Sequence, residues 1–214
     1  MQTIIAEIER PDLKLQERAA KFSAATLHEA AKKRGALPSM IKPLDPAMRI
    51  CGPAVTVSSP PGDNIMLHEA LRIAKPGDVI VAEVSGAYEH GYWGDIMTVA
   101  AQVRNIQGLV IDGCVRDGKE IVESGFSVFA RGLCIRGTSK NGGGTVNHPI
   151  KIADIVIHPG DLVVGDGDGV VVIPCEEIAE VLDAAEKREE DERRIREELK
   201  KGRTTMEIYG WTGK

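Results

Sequence analysis

The chain has 214 residues, of which 43% are hydrophobic, 28% charged and 4% aromatic, with 23 glycines and 11 prolines; this composition excludes a disordered, collagen-like or membrane-spanning protein. The length suits one compact domain, residues 1–214, and is too short for two ordinary domains and a linker. Twenty-seven basic against 32 acidic residues leave a formal charge of -5, so no global positive field is present to draw in a nucleic acid backbone.

The first predicted element is one helix over residues 15–33, with apolar positions at three and four spacing and Gly35 as its cap. Residues 49–58 alternate and are rich in Val, which reads as a strand. A helix over 65–74 follows a Pro-Pro-Gly-Asp turn. Next come a strand at 78–84, a helix at 95–104, a short apolar strand at 108–111, a helix at 118–124 and a strand at 127–130. Strands alternating with helices argue for right-handed crossovers and a partly parallel sheet, so the fold class is α/β. From residue 150 the chain turns β-rich, and its short strands between Pro-Gly-Asp and Gly-Asp-Gly-Asp-Gly turns are expected to form a smaller antiparallel layer against the sheet. Residues 176–201 carry 18 charged side chains out of 26, a helix laced with ion pairs. Ile178, Ala185, Glu192 and Leu199 recur every seven residues along one stripe of it, and Glu192 sits where an apolar contact is expected. Its partner is either Arg196 or a neighbouring subunit. Cys51, Cys114, Cys134 and Cys175 form no C-x-x-C pair and read as reduced thiols. The N-terminal stretch has neither a basic leader nor a long apolar run, which makes the cytoplasm the expected compartment and leaves no membrane partner.

Chemistry concentrates between Gly91 and Glu120. Gly94-Asp95 opens a helix, where Asp95 is expected to act as cap while the amides of Ile96 and Met97 point outward as a small anion site. Arg116-Asp117 follows an apolar strand at the carboxyl edge of a parallel sheet, the place where open α/β sheets bind ligands. An arginine fork beside helix amides suits a carboxylate or 2-oxo acid, and Asp117 is a hard oxygen ligand for a hydrated divalent ion. The alternative is a surface Arg beside a capping Asp.

An Asp, twenty intervening residues, Arg-Asp, two residues and an acidic residue, here Asp95, Arg116, Asp117 and Glu120, resembles the signature of the class II 4-hydroxy-4-methyl-2-oxoglutarate / 4-carboxy-4-hydroxy-2-oxoadipate aldolases of the RraA-like family. The likeness extends over most of the chain: CGPAVTV at Cys51, PGDN at Pro61, KPGDVIV at Lys75, YWGDIMTVAAQ, GLVIDGCVRD, VFARG at Val128 and PGDLVVGDGDGVVVIP at Pro159. The stretch RGLCIRGTSKNGGGTVNHPI and the ending TTMEIYGW are most similar to the carboxy-hydroxy-oxoadipate enzymes. The resemblance implies a three-layer fold of the swivelling β/β/α type and a lyase that cleaves 4-carboxy-4-hydroxy-2-oxoadipate to pyruvate and oxaloacetate, or 4-hydroxy-4-methyl-2-oxoglutarate to two pyruvates, with oxaloacetate decarboxylation as a side activity. It implies Asp117 as ligand of Mg²⁺ or Mn²⁺, Arg116 and the backbone of Gly94, Asp95, Ile96 and Met97 as substrate contacts, and Asp95 with a C-terminal glutamate of an adjacent subunit as groups that steer water. The family pattern R-E-x-K-E-x-x-x-R is met by Arg188, Glu189, Glu192 and Arg196, with Asp191 in place of the Lys; Glu192 is the choice over Glu189. A homotrimer or homohexamer is implied, with the helix at 176–201 at a subunit interface. The family also holds regulators that bind an endoribonuclease and resemble relatives without the metal-binding Asp; this chain keeps Asp117. An RraA-family lyase for another 2-oxo acid is a further alternative.

A class I aldolase needs a desolvated lysine, and Lys119 and Lys140 both lie in polar segments. The five histidines lack zinc spacing, although His90 lies close enough to the block to contact substrate. Asp166 and Asp168 read as a turn rather than a calcium loop.

Overall fold

The computed structural model describes residues 3–211, so residues 1, 2 and 212–214 lie outside the description. Helix α1 (Leu13–Ala19) and α2 (Ala24–Ala30) replace the single predicted helix over 15–33. The break has a local cause. Ser23 is extended and its hydroxyl accepts the Thr26 amide at 3.0 Å, while the Ala24 amide is taken by Asp166 Oδ2 at 2.8 Å. A hydroxyl cap and a buried carboxylate together outweigh continuation of the helix. Gly35 is not a helix cap. It is a close-approach residue with φ +81, where a Cβ would overlap the Val172 carbonyl.

The strands follow as β1 (Lys42–Pro43), β2 (Ile50–Ser58), and, after α3 (Ile65–Ile73), β3 (Val79–Glu83). Then come α4 (Asp95–Val103), β4 (Gly108–Ile111), β5 (Cys114–Val115), α5 (Gly118–Ser124), β6 (Ser127–Ala130) and β7 (Gly132–Leu133). β8 (Thr145–Val146), β9 (Ile150–Ile152), β10 (Ile155–Ile157), β11 (Leu162–Asp166) and β12 (Gly169–Ile173) precede a 3-10 turn at Cys175–Glu177, the long α6 (Ile178–Lys200) and the short α7 (Thr205–Ile208).

The main sheet runs β1-β6-β4-β3-β2-β11-β12, with β8 beside β2. β2, β3, β4 and β6 are parallel neighbours, in register at Val81↔Val110 and Val110↔Phe129, as expected of strands joined by helical crossovers. The β11/β12 hairpin corrects the expected smaller layer: it extends this same sheet, antiparallel to β2 at Leu162↔Pro53 through Gly165↔Ile50. β2 is buried along almost its whole length, and an unpaired second edge would leave its N–H and C=O groups without partners. The alternation of the hairpin serves two cores. Val163, Val170 and Val172 join the main core beneath α3 and α4, whereas Leu162, Val164, Val171 and Ile173 pack with α1, α2 and Ile178, Val181, Leu182 and Ala185 of α6. The Leu37 amide donates to Val170 O and the Val172 amide to Gly35 O, while β1 pairs with β6. The mixed sheet therefore curls until it is nearly barrel-like.

The N-terminal segment is strapped across this body. The Ile5 amide donates to Val146 O at 3.1 Å, Asn147 Nδ2 donates to Ile5 O at 2.8 Å, and the Arg10 guanidinium forks onto the fully buried Asp78 at 2.8 and 2.7 Å. Beyond Ala185, α6 is a solvated helix with ion pairs such as Lys200 to Glu197 at 2.8 Å. Among the described residues no helix is long and apolar enough to cross a membrane, and the four cysteines are free thiols.

Asp166, 8% exposed, holds the Ala24 amide with one oxygen and the Asp168 amide with the other. The turn agrees with the reading of the Gly-Asp repeat, and the bond to the start of α2 was not foreseen. Asp166→Ala strands the buried Ala24 donor and is expected to lower stability by about 1–3 kcal/mol in urea denaturation; an unchanged midpoint would show that the α2 start does not depend on Asp166.

Candidate active site

Two crossovers end at one edge of the sheet. β3 leads through a loop to the N-terminus of α4, and β4 leads to Arg116 and Asp117 at the start of α5. Asp117 is the N-cap of α5 with φ 57 and ψ 40, a left-handed conformation uncommon for a residue with a Cβ. The conformation is held from both sides: the Arg116 amide donates to Trp93 O at 2.8 Å and the Ile121 amide to Asp117 O at 3.0 Å. It sends the carboxylate back to α4, where Oδ2 accepts the Asp95 amide at 3.2 Å. Arg116 Nε lies 3.5 Å from the same oxygen. Among the described residues Asp117 Oδ1 has no hydrogen-bond partner.

The expected capping by Asp95 is corrected. Gly94 occupies the cap with no side-chain bond, and Asp95 is the first helical residue, its Oδ1 accepting the Ile96 amide at 2.7 Å. Of the two amides expected to bind an anion, Ile96 is thus engaged locally and Met97 is left without a partner among the described residues. Gly94 is extended rather than left-handed. Its lack of a side chain matters for space: a Cβ there would run into Asp117 Oδ2 and crowd Arg116 Nε and Cγ. Gly91 is similarly confined by Cys134 O and the Arg116 stem. Behind them Trp93 Nε1 donates to Thr98 Oγ1 at 2.9 Å, and that hydroxyl donates to Gly94 O at 3.1 Å, which fixes the turn into α4.

These groups wall a cavity of about 280 Å³, lined by Gly94, Asp95, Ile96, Met97 and Arg116 as expected from the sequence, with Asp117 directly beneath Gly94. The opposite wall was not foreseen. It consists of Asn64, the N-cap of α3, His68 one turn along that helix, and Gly137, Thr138 and Lys140 of the loop after β7. Asp63 clamps that loop. Its Oδ2 accepts the Ser139 hydroxyl at 2.9 Å and the Asn141 amide at 2.5 Å, while Oδ1 takes the Ile65 amide at 2.9 Å. Burial opposes ionisation of Asp63, but these bonds outweigh it and hold the carboxyl below its ordinary range. Burial and, less strongly, the Lys140 charge lower the His68 pKa as well, so this imidazole is neutral at pH 7.

His90, expected beside the substrate, is not in the cavity wall. Its ring tilts against Tyr92 with centroids 5.7 Å apart and touches the space over Gly62. Glu120 is exposed in the first turn of α5. Lys119 is exposed and 3.8 Å from Glu123, and Lys140 is exposed too, so neither meets the desolvation that a Schiff-base lysine needs. Glu192 lies on α6 away from this cavity, bound to Arg188 at 2.9 Å and to Arg196 at 2.7 Å, and Glu189 is exposed beside it. The PGDN turn before α3 was the available signal for the missed wall, since it places Asn64 and His68 on one helical face.

A divalent ion fits the donor set only as a largely hydrated guest. Asp117 offers one hard oxygen without a hydrogen-bond partner, but among the described residues no group of three or more His, Cys, Asp or Glu side chains converges.

Comparison with known proteins gives the family. A family model described as RraA-like, aldolase/RraA, matches residues 24–172. A relative from Halalkalibacterium halodurans, named "Putative 4-hydroxy-4-methyl-2-oxoglutarate aldolase", is 40% identical over 156 residues, 73% of this chain and 74% of the relative. The crystal structure of an uncharacterized protein from Pseudomonas syringae pv. tomato superposes with a TM-score of 0.83 at 33% identity, covering 92% of this chain and 93% of that one. Streptomyces coelicolor RraAS2, described as an unusual member of the RNase ES inhibitor RraA protein family, superposes with a TM-score of 0.79 at 29% identity over 89% and 99% of the two chains.

Gly94→Ala forces its methyl group against the Asp117 carboxylate and is expected to cost about 1–3 kcal/mol in urea unfolding. An unchanged unfolding midpoint would mean that the carboxylate moves aside freely.

Proposed function

The chain belongs to the aldolase/RraA-like family, and from that premise we propose that it is a divalent-metal-dependent lyase that cleaves 4-hydroxy-2-oxo acids to release pyruvate. The observation that carries this reading is the convergence of Arg116 and the N-terminus of α4 on one cavity, with the Asp117 carboxylate bound to the Asp95 amide against Gly94. The substrates it fits are 4-hydroxy-4-methyl-2-oxoglutarate and 4-carboxy-4-hydroxy-2-oxoadipate, with oxaloacetate decarboxylation as a side activity. The Halalkalibacterium relative carries the first of these activities in its name.

Arg116 presents a planar fork to the carboxylate and 2-oxo group of the pyruvyl half, and the Met97 amide adds a donor at the positive end of α4. Breaking the C3–C4 bond moves an electron pair into the pyruvyl half, and the Arg116 guanidinium lies where that charge develops. Mg²⁺ or Mn²⁺ held by Asp117 would supply additional charge stabilisation at the 2-oxo group. The C4 hydroxyl must lose its proton, and Asp95, whose carboxylate lines the cavity, is placed to receive it through water.

Glu192 is proposed to complete the site from a neighbouring copy in a trimer or hexamer, at an interface that includes α6. Two features support this. Glu192 does not line the cavity of its own chain, and α4 exposes Ile96, Val99 and Val103 at 74%, 58% and 79% along one stripe beside the cavity, a surface suited to burial against another copy.

Pyruvate release is expected with Mg²⁺, to be abolished by EDTA and absent in Asp117→Ala with its fold intact; release that persists in EDTA would remove the metal from the reaction, and no release from any of the three substrates would turn the assignment toward a regulator. Co-expressed Glu192→Gln and Asp117→Ala chains are expected to regain activity that each lacks alone, because mixed assemblies contain sites with neither change. No regain would place Glu192 outside the neighbour's site.

A further inference from the structure

Arg116 is carried by a part of the molecule that the main sheet does not hold. β5 and β7 pair only with each other, as a parallel ribbon in register at Cys114↔Gly132 and Val115↔Leu133. So short a ribbon has too few ladder bonds to fix its own direction. Its strands follow the carboxyl ends of β4 and β6, and Asp112 and Arg131 stand at those two exits. Their side chains meet: Arg131 Nε donates to Asp112 Oδ1 at 2.6 Å, with the two side chains 18% and 9% exposed. The Arg131 amide also donates to Gly113 O at 3.0 Å. The same guanidinium lies over the Tyr88 ring, 3.6 Å from its centroid. Tyr88 belongs to the loop between β3 and α4, and its carbonyl accepts the Cys114 amide at 2.9 Å. One side chain therefore ties together the segments that leave β3, β4 and β6, of which the first ends at Gly94 and the second at Arg116. The Arg116 side chain has no comparable support of its own. It is 50% exposed, and its ion pair is with Asp117 at 3.5 Å.

We propose that Arg131 is a positioning residue for Arg116: by locking the exits of β4 and β6 to each other and to Tyr88, it sets where the ribbon holds the Arg116 guanidinium at the cavity wall. Arg131 itself does not line the cavity. The guanidinium bonds in its plane to Asp112 while its face covers the ring, a double use that an ammonium cannot reproduce. The consequence for turnover rests on the pyruvyl half being held at Arg116, as above.

Amide hydrogen exchange of the full chain reads the ribbon without reference to any reaction. In Arg131→Gln the Cys114, Arg116 and Cys134 amides are expected to exchange about tenfold faster, over and above any change shared with β3 and β4. The milder Arg131→Lys keeps a charge beside Asp112 and loses the stacking plane, and is expected to loosen the same amides to a smaller degree; Tyr88→Phe, which keeps the ring, is expected to leave them unchanged. An equal change in ribbon and main sheet, or no change, would overturn the proposal. A double-mutant cycle on pyruvate release then asks whether Arg131 acts through Arg116. Arg131→Gln is expected to lower kcat/KM about tenfold in the unaltered chain and under about twofold in an Arg116→Lys chain, where the fork to be positioned is already gone. Equal loss in both backgrounds, the mark of a merely structural role, would also overturn it. If the unaltered chain releases no pyruvate, the lyase reading falls, and the exchange result alone upholds or overturns the positioning role.

Discussion

The geometry of the site depends on the junction of two helix starts, where the Asp95 amide donates to the Asp117 carboxylate and the Arg116 amide to Trp93 O. Two crossovers of a parallel sheet each deliver a helix to the same edge, but nothing in that topology fixes one helix start against the other. Asp117 does so by adopting a left-handed backbone, a conformation that costs about 1–2 kcal/mol for a residue with a Cβ. The Arg116 amide on Trp93 O and the first turn of α5 offset that cost. Gly94 then has to be glycine, since the carboxylate occupies the volume of a side chain. Arg116, adjacent in sequence, is carried to the cavity wall by the same turn.

Local chemistry made the central part of the fold legible. The alternating strands and helices from residue 78 to 130 appear in the structure with their predicted ends almost unchanged, because apolar periodicity and Gly or Asp punctuation act within a few residues. The sequence also brought Asp95, Arg116 and Asp117 together correctly, since residues at the carboxyl ends of neighbouring parallel strands share an edge. Long-range pairing was less accessible. Whether the 162–173 hairpin forms its own layer or joins the edge of β2 depends on which backbone groups another strand leaves open. The break at Ser23 was hidden for a related reason: the acceptor of the Ala24 amide is Asp166, 142 residues away. Lys140 lay in a polar loop without periodicity, and only the clamp from Asp63 gives it a place.

The two walls are stabilised differently. Around Arg116 the constraints are mainly backbone contacts and glycine spacing, which tolerate little displacement. Around Lys140 they are two bonds to one carboxylate, Asp63, beside the backbone bonds of Ser139 to Gly62 O and from the Asn64 amide. Because the folded-state pKa of Asp63 is depressed, the stabilisation it contributes is present above the ordinary carboxylate range and is lost as pH falls through the lowered value. Acid therefore loosens the lysine wall, while the glycine spacing on the arginine wall does not titrate.

The N-terminal strap has a consequence for biosynthesis. Ile5 is held by Val146 and Asn147, so the strap leaves the ribosome well before its acceptors exist. At about 5–20 residues per second, the wait is on the order of ten seconds. During that interval the nascent segment has Lys75 and Asp78 as its early partners, through Glu7 and Arg10, and the chain reaches its final form only after the loop bearing Lys140 has been made. Maturation of that wall is thus tied to the capture of one of the first segments synthesised by one made much later.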